Sequence, residues 1–263
     1  MKLKTSPIRA LAVAAALALG TVAAHAVEFT DPRGDDKGPG NYTYPTDGVY
    51  KSGSFDLVKF SAGKSGANVD FAVDVAANLE DPWGMGGGFA VQMVFIFVKT
   101  GAPGGRTDTW SGLNVQFAPG HEWNKVIVLS PQKKARVTAE AEAKLGALAK
   151  DIVVPNITRG RGRTITGSVP LAELGGDGNV DGWSYQVVMQ SNEGFPAATD
   201  FLTRKVNEYE GQHRFGGGND ADCDPHTMDV LDAPDAKQAE MLAHTCAADG
   251  KATKMATLKM VKK

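Results

Sequence analysis

Phe89–Val98 reads FAVQMVFIFV, and its pattern decides the fold class. In an extended chain successive side chains point to opposite faces. Phe89, Val91, Met93, Phe95 and Phe97 then line one face, and Val94, Ile96 and Val98 line the other. A short run that is apolar on both faces, rich in aromatic and β-branched residues, is a strand in the middle of a packed sheet. Its apolar heart, Val91–Val98, falls far short of the roughly 20 residues that a membrane-spanning helix needs. Asn68–Val75 (NVDFAVDV) behaves differently. Val69, Phe71, Val73 and Val75 alternate with polar or small residues, as in a strand with one face on a core and one in water.

Further strands are expected at Phe55–Phe60, Lys125–Leu129, Ala135–Ala139, Ile152–Ile157, Arg163–Val169, Trp183–Gln190 and Thr257–Val261. The 31 glycines and 13 prolines punctuate these segments. Helical composition is confined to Ala139–Lys150 and to Asp235–Ala247, where Asp235 would cap, with one possible turn at Pro170–Leu174. About nine short strands with turn signals every 8–12 residues predict a mainly β fold: an antiparallel β-sandwich with one or two short helices. No internal repeat and no long linker divides the chain.

Met1–Ala26 reads as a cleavable secretory signal. Lys2, Lys4 and Arg9 precede the ten-residue apolar run Ala10–Leu19, and Ala24-His25-Ala26 forms a small-x-small cleavage site. The expected product, residues 27–263, works in the periplasm or outside the cell, with no transmembrane segment left after cleavage. Removing the signal's three bases from a formal net charge of −2 leaves −5. Such a chain has no general attraction for nucleic acid. The lysine-rich end, Lys251 to Lys263, reads as a solvated face. In an oxidising compartment the two cysteines, Cys223 and Cys246, are expected to pair. Closing a loop of that length stabilises by about 3 kcal/mol in the chain-entropy model. Neither cysteine belongs to a CxxC or CxxCH arrangement, which leaves a zinc ribbon, a dithiol or a covalent haem without support.

The segment after the signal, FTDPRGDDKGPGNYTYPTD (Phe29–Asp47), sets several carboxylates among glycines and prolines. Glycines let a backbone fold so that several oxygens face one point, and hard oxygen ligands suit Ca²⁺. The spacing is not that of an EF-hand. A second acidic run, Asp220, Asp222, Asp224, Asp229 and Asp232, would join the first if the chain ends were neighbours. Catalytic motifs are missing: there is no GxSxG, HExxH or clear triad, and no carboxylate pair stands out. The loop His213–Asp220 lacks the GxGxxG spacing of a nucleotide site. Among the tryptophans, Trp83 (in DPWGMGGG) and Trp110 follow loop-like, glycine-rich stretches and are the ones expected at the surface, where aromatic faces stack on sugar rings. Trp183 opens a strand and is expected in the core.

Six blocks carry a resemblance: Phe29–Asp47, Ser54–Phe60, Asp81–Gln92, Arg161–Pro170, Trp183–Phe195 and His213–Leu231. Through them the chain resembles the C-terminal domain family of glucodextranase, related to DOMON-like and family 9 carbohydrate-binding modules. The resemblance implies a β-sandwich that binds polysaccharide or a cell-envelope glycan and does not cut it. It makes Asp31, Asp35 and Asp36 the candidates for structural Ca²⁺. Two other implications come with the relatives. DOMON-like sandwiches include b-type haem binders, for which Met93, Met189, His121, His213 and Met228 supply the types of axial ligand. The parent enzymes are hydrolases, whose chemistry belongs to a separate catalytic domain.

Overall fold

The computed structural model describes residues 26–221 and 223–263. The expected signal lies outside them apart from Ala26, and so does Asp222. The first sheet runs β1 (Ala26–Thr30), β2 (Leu57–Ser65), β3 (Asn68–Val75), β9 (Thr164–Pro170), β8 (Thr158–Arg161), all antiparallel. The second runs β11 (Asp229–Val230), β10 (Ser184–Ser191), β4 (Gln92–Lys99), β6 (Lys125–Leu129), β7 (Ile152–Val153), with only β6 and β7 parallel. Outside the two sheets, β5 (Val115–Phe117) pairs in parallel with β14 (Ala256–Leu258), and β12 (Thr245–Cys246) pairs with β13 (Ala252–Lys254).

The registers show which side chains meet. Val94, Ile96 and Val98 of β4 oppose Met189, Val187 and Tyr185 of β10. Cross-strand partners share a face, and Tyr185 packs 5.2 Å from Phe60 and 6.1 Å from Phe29, between ring centroids. This set is the inner layer, facing the first sheet. Leu129 of β6 reaches the same layer, where Gly167 of β9 leaves room for it: a Cβ there would lie 2.6 Å from the leucine Cδ2. Phe95 and Phe97 face the other way, onto Trp110, Phe117, Trp123 and Phe201. The second sheet is therefore covered on both faces and the first on one, as the two sequence patterns required.

Local assignments differ in places. Ala135–Ala139, expected as strand, belongs to helix α1 (Lys134–Lys144). Alanine and charged residues favour helix, and Glu140 pairs with Lys144 at 2.8 Å, one turn apart. The helix expected to reach Lys150 gives way at Gly146 to a 3-10 turn. Helix α2 (Leu171–Leu174) is the single turn foreseen near Pro170. The expected helix Asp235–Ala247 shrinks to one turn, α3 (Gln238–Met241), capped at Lys237. Asp235 caps nothing; it pairs with Lys259 at 2.6 Å. Cys223 and Cys246 are disulfide-bonded, with their Cα atoms 5.9 Å apart.

Candidate functional site

Two groups of side chains sit beside the N-terminal loop. The first is acidic. Strand β1 delivers Asp31, whose N–H still donates to Val58 O of β2 (3.2 Å) before the chain turns away. Asp31 Oδ1 accepts Asp232 N–H at 2.7 Å, tying the start of the fold to its last third. Asp56 Oδ2 accepts Gly34 N–H at 2.8 Å, and Asp229 Oδ2 accepts Leu57 N–H at 2.7 Å. The carboxylate oxygens of Asp31, Asp35 and Asp229, one from each, lie within 4.8 Å of one another. The remaining oxygens of all four acids, Asp31 Oδ2, Asp35 Oδ1, Asp56 Oδ1 and Asp229 Oδ1, are buried and receive no protein donor.

Burial, opposed by the Asp232 N–H and reinforced by Asp35, Asp232 and Asp56, pushes the Asp31 carboxyl up to about 8. Burial pushes Asp35 up to about 6 and raises Asp56 and Asp229 as well, Asp229 well above the usual carboxylate range. Crowded carboxyls in a dry setting resist ionising together unless positive charge joins them. An all-oxygen donor set without histidine or cysteine fits a hard cation. Of the three acids expected to serve one, Asp31 and Asp35 come together, whereas Asp36 is buried and accepts a short hydrogen bond from the Tyr44 hydroxyl. Asp229, from the second acidic run, is the third member of that group. Asp224 of that run is buried elsewhere, beneath the Tyr42 hydroxyl at 3.3 Å.

Gln238 locks this loop from α3. Its Oε1 accepts Val230 N–H at 2.8 Å, and its Nε2 donates to Gly38 O at 3.0 Å and to Asp35 O. Gln238→Ala strands these groups in a buried setting. A loss of about 1–3 kcal/mol is expected in urea unfolding. A groove of about 410 Å³ over the loop is lined by Asp35, Gly38, Asp232 and Gln238.

The second group is aromatic. Asp81 fixes the Trp83 loop by accepting Met85 N–H and Gly86 N–H, each at 2.7 Å. Trp83 is 38 % exposed and meets Tyr50 edge to face at 6.2 Å. The Arg204 guanidinium carbon stands 5.9 Å from both ring centroids. Arg204 is held by Glu193 (2.7 Å) and by His213 O (2.9 Å). On the other side of Tyr50 lies a groove of about 550 Å³, lined by Asp36, Lys37, Asn41, Tyr42 and Tyr44. Tyr50, itself buried, contributes to the groove lining and also contacts the tryptophan.

Trp110 does not belong to that surface. It is buried against Phe95, Phe97 and Phe201, because residues 100–117 fold back over the outer face of the second sheet. Trp183 is in the core, as its place at a strand start suggested. Met93 and Met189 lie in the main core on opposite faces of neighbouring strands, and Met228 lies in the smaller core beneath Tyr42 and Tyr50. His121 Nδ1 accepts Met260 N–H at 2.9 Å, and exposed His213 packs on Tyr50. Sequence reading missed Tyr50, Asp56, Arg204 and Gln238. Only Asp56 gave a signal: a charge inside the otherwise apolar-leaning FDLVKF. Among the described residues no helix is long and apolar enough to cross a membrane.

The family model for the C-terminal, SLH-like binding module of glucodextranase matches residues 26–261. Comparison with curated proteins finds no match.

Proposed function

Because the chain belongs to the family of C-terminal, SLH-like binding modules of glucodextranase, we propose that it is a non-catalytic module that binds a polysaccharide or cell-envelope glycan outside the cytoplasm. One observation supports the ligand class beyond family membership: Trp83 stands exposed on a loop braced by Asp81, next to Tyr50 and a polar groove of about 550 Å³. Flat aromatic faces take up the apolar faces of sugar rings, while nearby polar groups fix orientation. Here the exposed Lys37 and Asn41 line the groove and supply those groups. Arg204, stacked on both rings and paired with Glu193, holds the aromatic pair in place. The disulfide fits an oxidising compartment. A fold of this kind hosts many activities, so the reading rests on the site and the family together.

The test is a glycan array probed with the purified protein and with Trp83→Ala. The wild type is expected to retain a defined set of glycans, and the variant to lose at least tenfold in affinity, since buried or stacked tryptophans dominate such contacts. Thermal melting of the variant should be nearly unchanged, because the side chain is partly exposed. Wild-type protein that binds no glycan, or a variant that binds as well, would refute the assignment. Release of reducing sugar from any bound glycan would refute the non-catalytic part.

A further inference from the structure

We propose that the glycan taken up beside Trp83 is an acidic one, and that Arg159 and Arg161 on the outer face of β8 bind its anionic groups. This deepens the reading given above and rests on it. Residues 158–163 read TRGRGR, in a chain where acids outnumber bases. Alternation along β8 puts Arg159 and Arg161 on one face. The register fixes which one: Arg159 lies opposite Thr166 and Arg161 opposite Thr164, whereas Gly160 lies opposite the buried Ile165. Both arginines therefore stand on the face of the first sheet that no second layer covers, and both are exposed. Among the described residues neither guanidinium has an ion pair; Arg159 is met only at its carbonyl, by the Thr166 hydroxyl at 3.3 Å. The carboxylates of that face are engaged elsewhere. Asp70 accepts the Ser168 hydroxyl at 2.5 Å, and Asp74 accepts the Thr164 hydroxyl at 2.6 Å and faces Lys59 at 3.6 Å.

The same hairpin carries both feet of the Trp83 loop. Leu79 N–H donates to Gly162 O at 2.7 Å, and Gly160 N–H donates to Gly87 O at 2.7 Å. Arg163 Nε donates to Asn78 Oδ1 at 3.3 Å. Gly88 lies so close to Gly160 that a Cβ there would strike the Gly160 carbonyl. The loop returns to the hairpin through three glycines, residues 86–88, which add no side chain between Trp83 and the arginines. A chain stacked on the indole thus has two free guanidinium groups at the base of the same loop. Charge on an edge strand commonly wards off pairing with other chains. Here Gly87 and Gly88 already cover the β8 edge, so that need is met without arginine. The planar guanidinium forks onto carboxylate and phosphate-like anions, which gives geometry as well as charge. A groove of about 500 Å³ continues from Arg159 past Thr166 and Ser168, whose hydroxyls suit a sugar chain.

The experiment measures binding of dextran, dextran sulfate and polygalacturonate by calorimetry at low salt. Dextran and its sulfate share a backbone and differ in charge, and polygalacturonate separates carboxylate from sulfate. At least one acidic polymer is expected to bind at least tenfold more tightly than dextran, and to weaken as NaCl is raised. The double variant Arg159→Gln/Arg161→Gln should lose at least tenfold for that polymer, as should Trp83→Ala, with melting temperatures unchanged. Lys262→Gln/Lys263→Gln makes the same change of charge at the exposed C-terminus and should bind as wild type. Wild type that holds only neutral glycans overturns the inference and leaves the glycan-binding reading standing. So does an arginine variant that binds as wild type, or a lysine variant that loses as much. Loss in the arginine variant without loss in Trp83→Ala overturns the single surface. Wild type that binds no glycan at all fails the glycan-binding reading itself, and this inference with it.

Discussion

Phe97→Ala is expected to lower stability by about 3–5 kcal/mol in denaturant unfolding, the range for deleting a buried phenylalanine ring. Phe97 is wholly buried, with ring neighbours Phe117, Trp123 and Trp110 at 4.9, 5.5 and 5.8 Å. Those partners cannot all move in to fill the hole, because Trp123 Nε1 is tied to Asp108 O at 3.1 Å and Val115–Phe117 is paired with β14. The cavity term therefore adds to the lost transfer energy. Phe97→Leu keeps most of the volume and should cost less than about half as much. Equal losses in the two variants would show that the outer layer of the second sheet is loosely packed. Near-UV circular dichroism offers a second check, since Trp110, Phe117 and Trp123 all pack on the ring that is removed.

That layer also shows what a sequence can and cannot tell. The strand β4 declared that both its faces are buried, and its inner face was found in the layer where Tyr185 of the neighbouring strand meets Phe60. What covers the outer face could not be read. The cover is irregular backbone at residues 100–117, where no period of two or of 3.6 exists to mark an inward side. Trp110 was placed at the surface for that reason: its glycine-rich surroundings signal a turn but not which way the turn lies. The same limit applied to α1. Its first residues, Ala-Arg-Val-Thr-Ala, carry too few alternations to choose between strand and helix. Only the burial of Val137 and Ala141 in the core decides it.

The acidic site was legible in part, and for a definable reason. Density of carboxylates in Phe29–Asp47 pointed to the right loop, because that information is local. Which acids converge is a matter of long-range pairing. Asp36 is next to Asp35 in sequence, yet the chain turns at Asp36, where Lys37 N–H donates to Asp35 O at 2.6 Å, and Tyr44 captures the Asp36 side chain instead. Asp229 lies nearly two hundred residues away and arrives only because β11 pairs with β10, Met189 opposite Asp229. The possibility that the two acidic runs meet was visible; the choice of Asp229 over Asp220 or Asp224 was not. Arg204 and Tyr50 were invisible for the same reason, since nothing in their neighbours marks a cation stacked on two rings.

Gly38→Ala is the other substitution with a large expected effect, about 2–5 kcal/mol, and it reports on the loop as a unit. Gly38 has φ +58°, in the left-handed region, where a side chain costs roughly 1–2 kcal/mol. A methyl group there would also collide with the Tyr42 ring and approach Thr227 O to 2.9 Å. Overpacking of this kind adds about 1–3 kcal/mol. The residue cannot retreat, since its N–H donates to Met228 O at 2.8 Å and its carbonyl accepts from Gln238 Nε2 at 3.0 Å. Gly34, four residues earlier, separates the two costs. It has φ +85° but open space where its Cβ would sit, so Gly34→Ala should cost only the conformational share, about 1 kcal/mol. The comparison is made by urea unfolding of both variants. Met228 and Gln238 are the contacts of Gly38, and they flank Asp229 and Asp35. If the two variants are equally stable, the backbone conformation alone sets the cost and the loop is not pressed against Tyr42 and Thr227 as described.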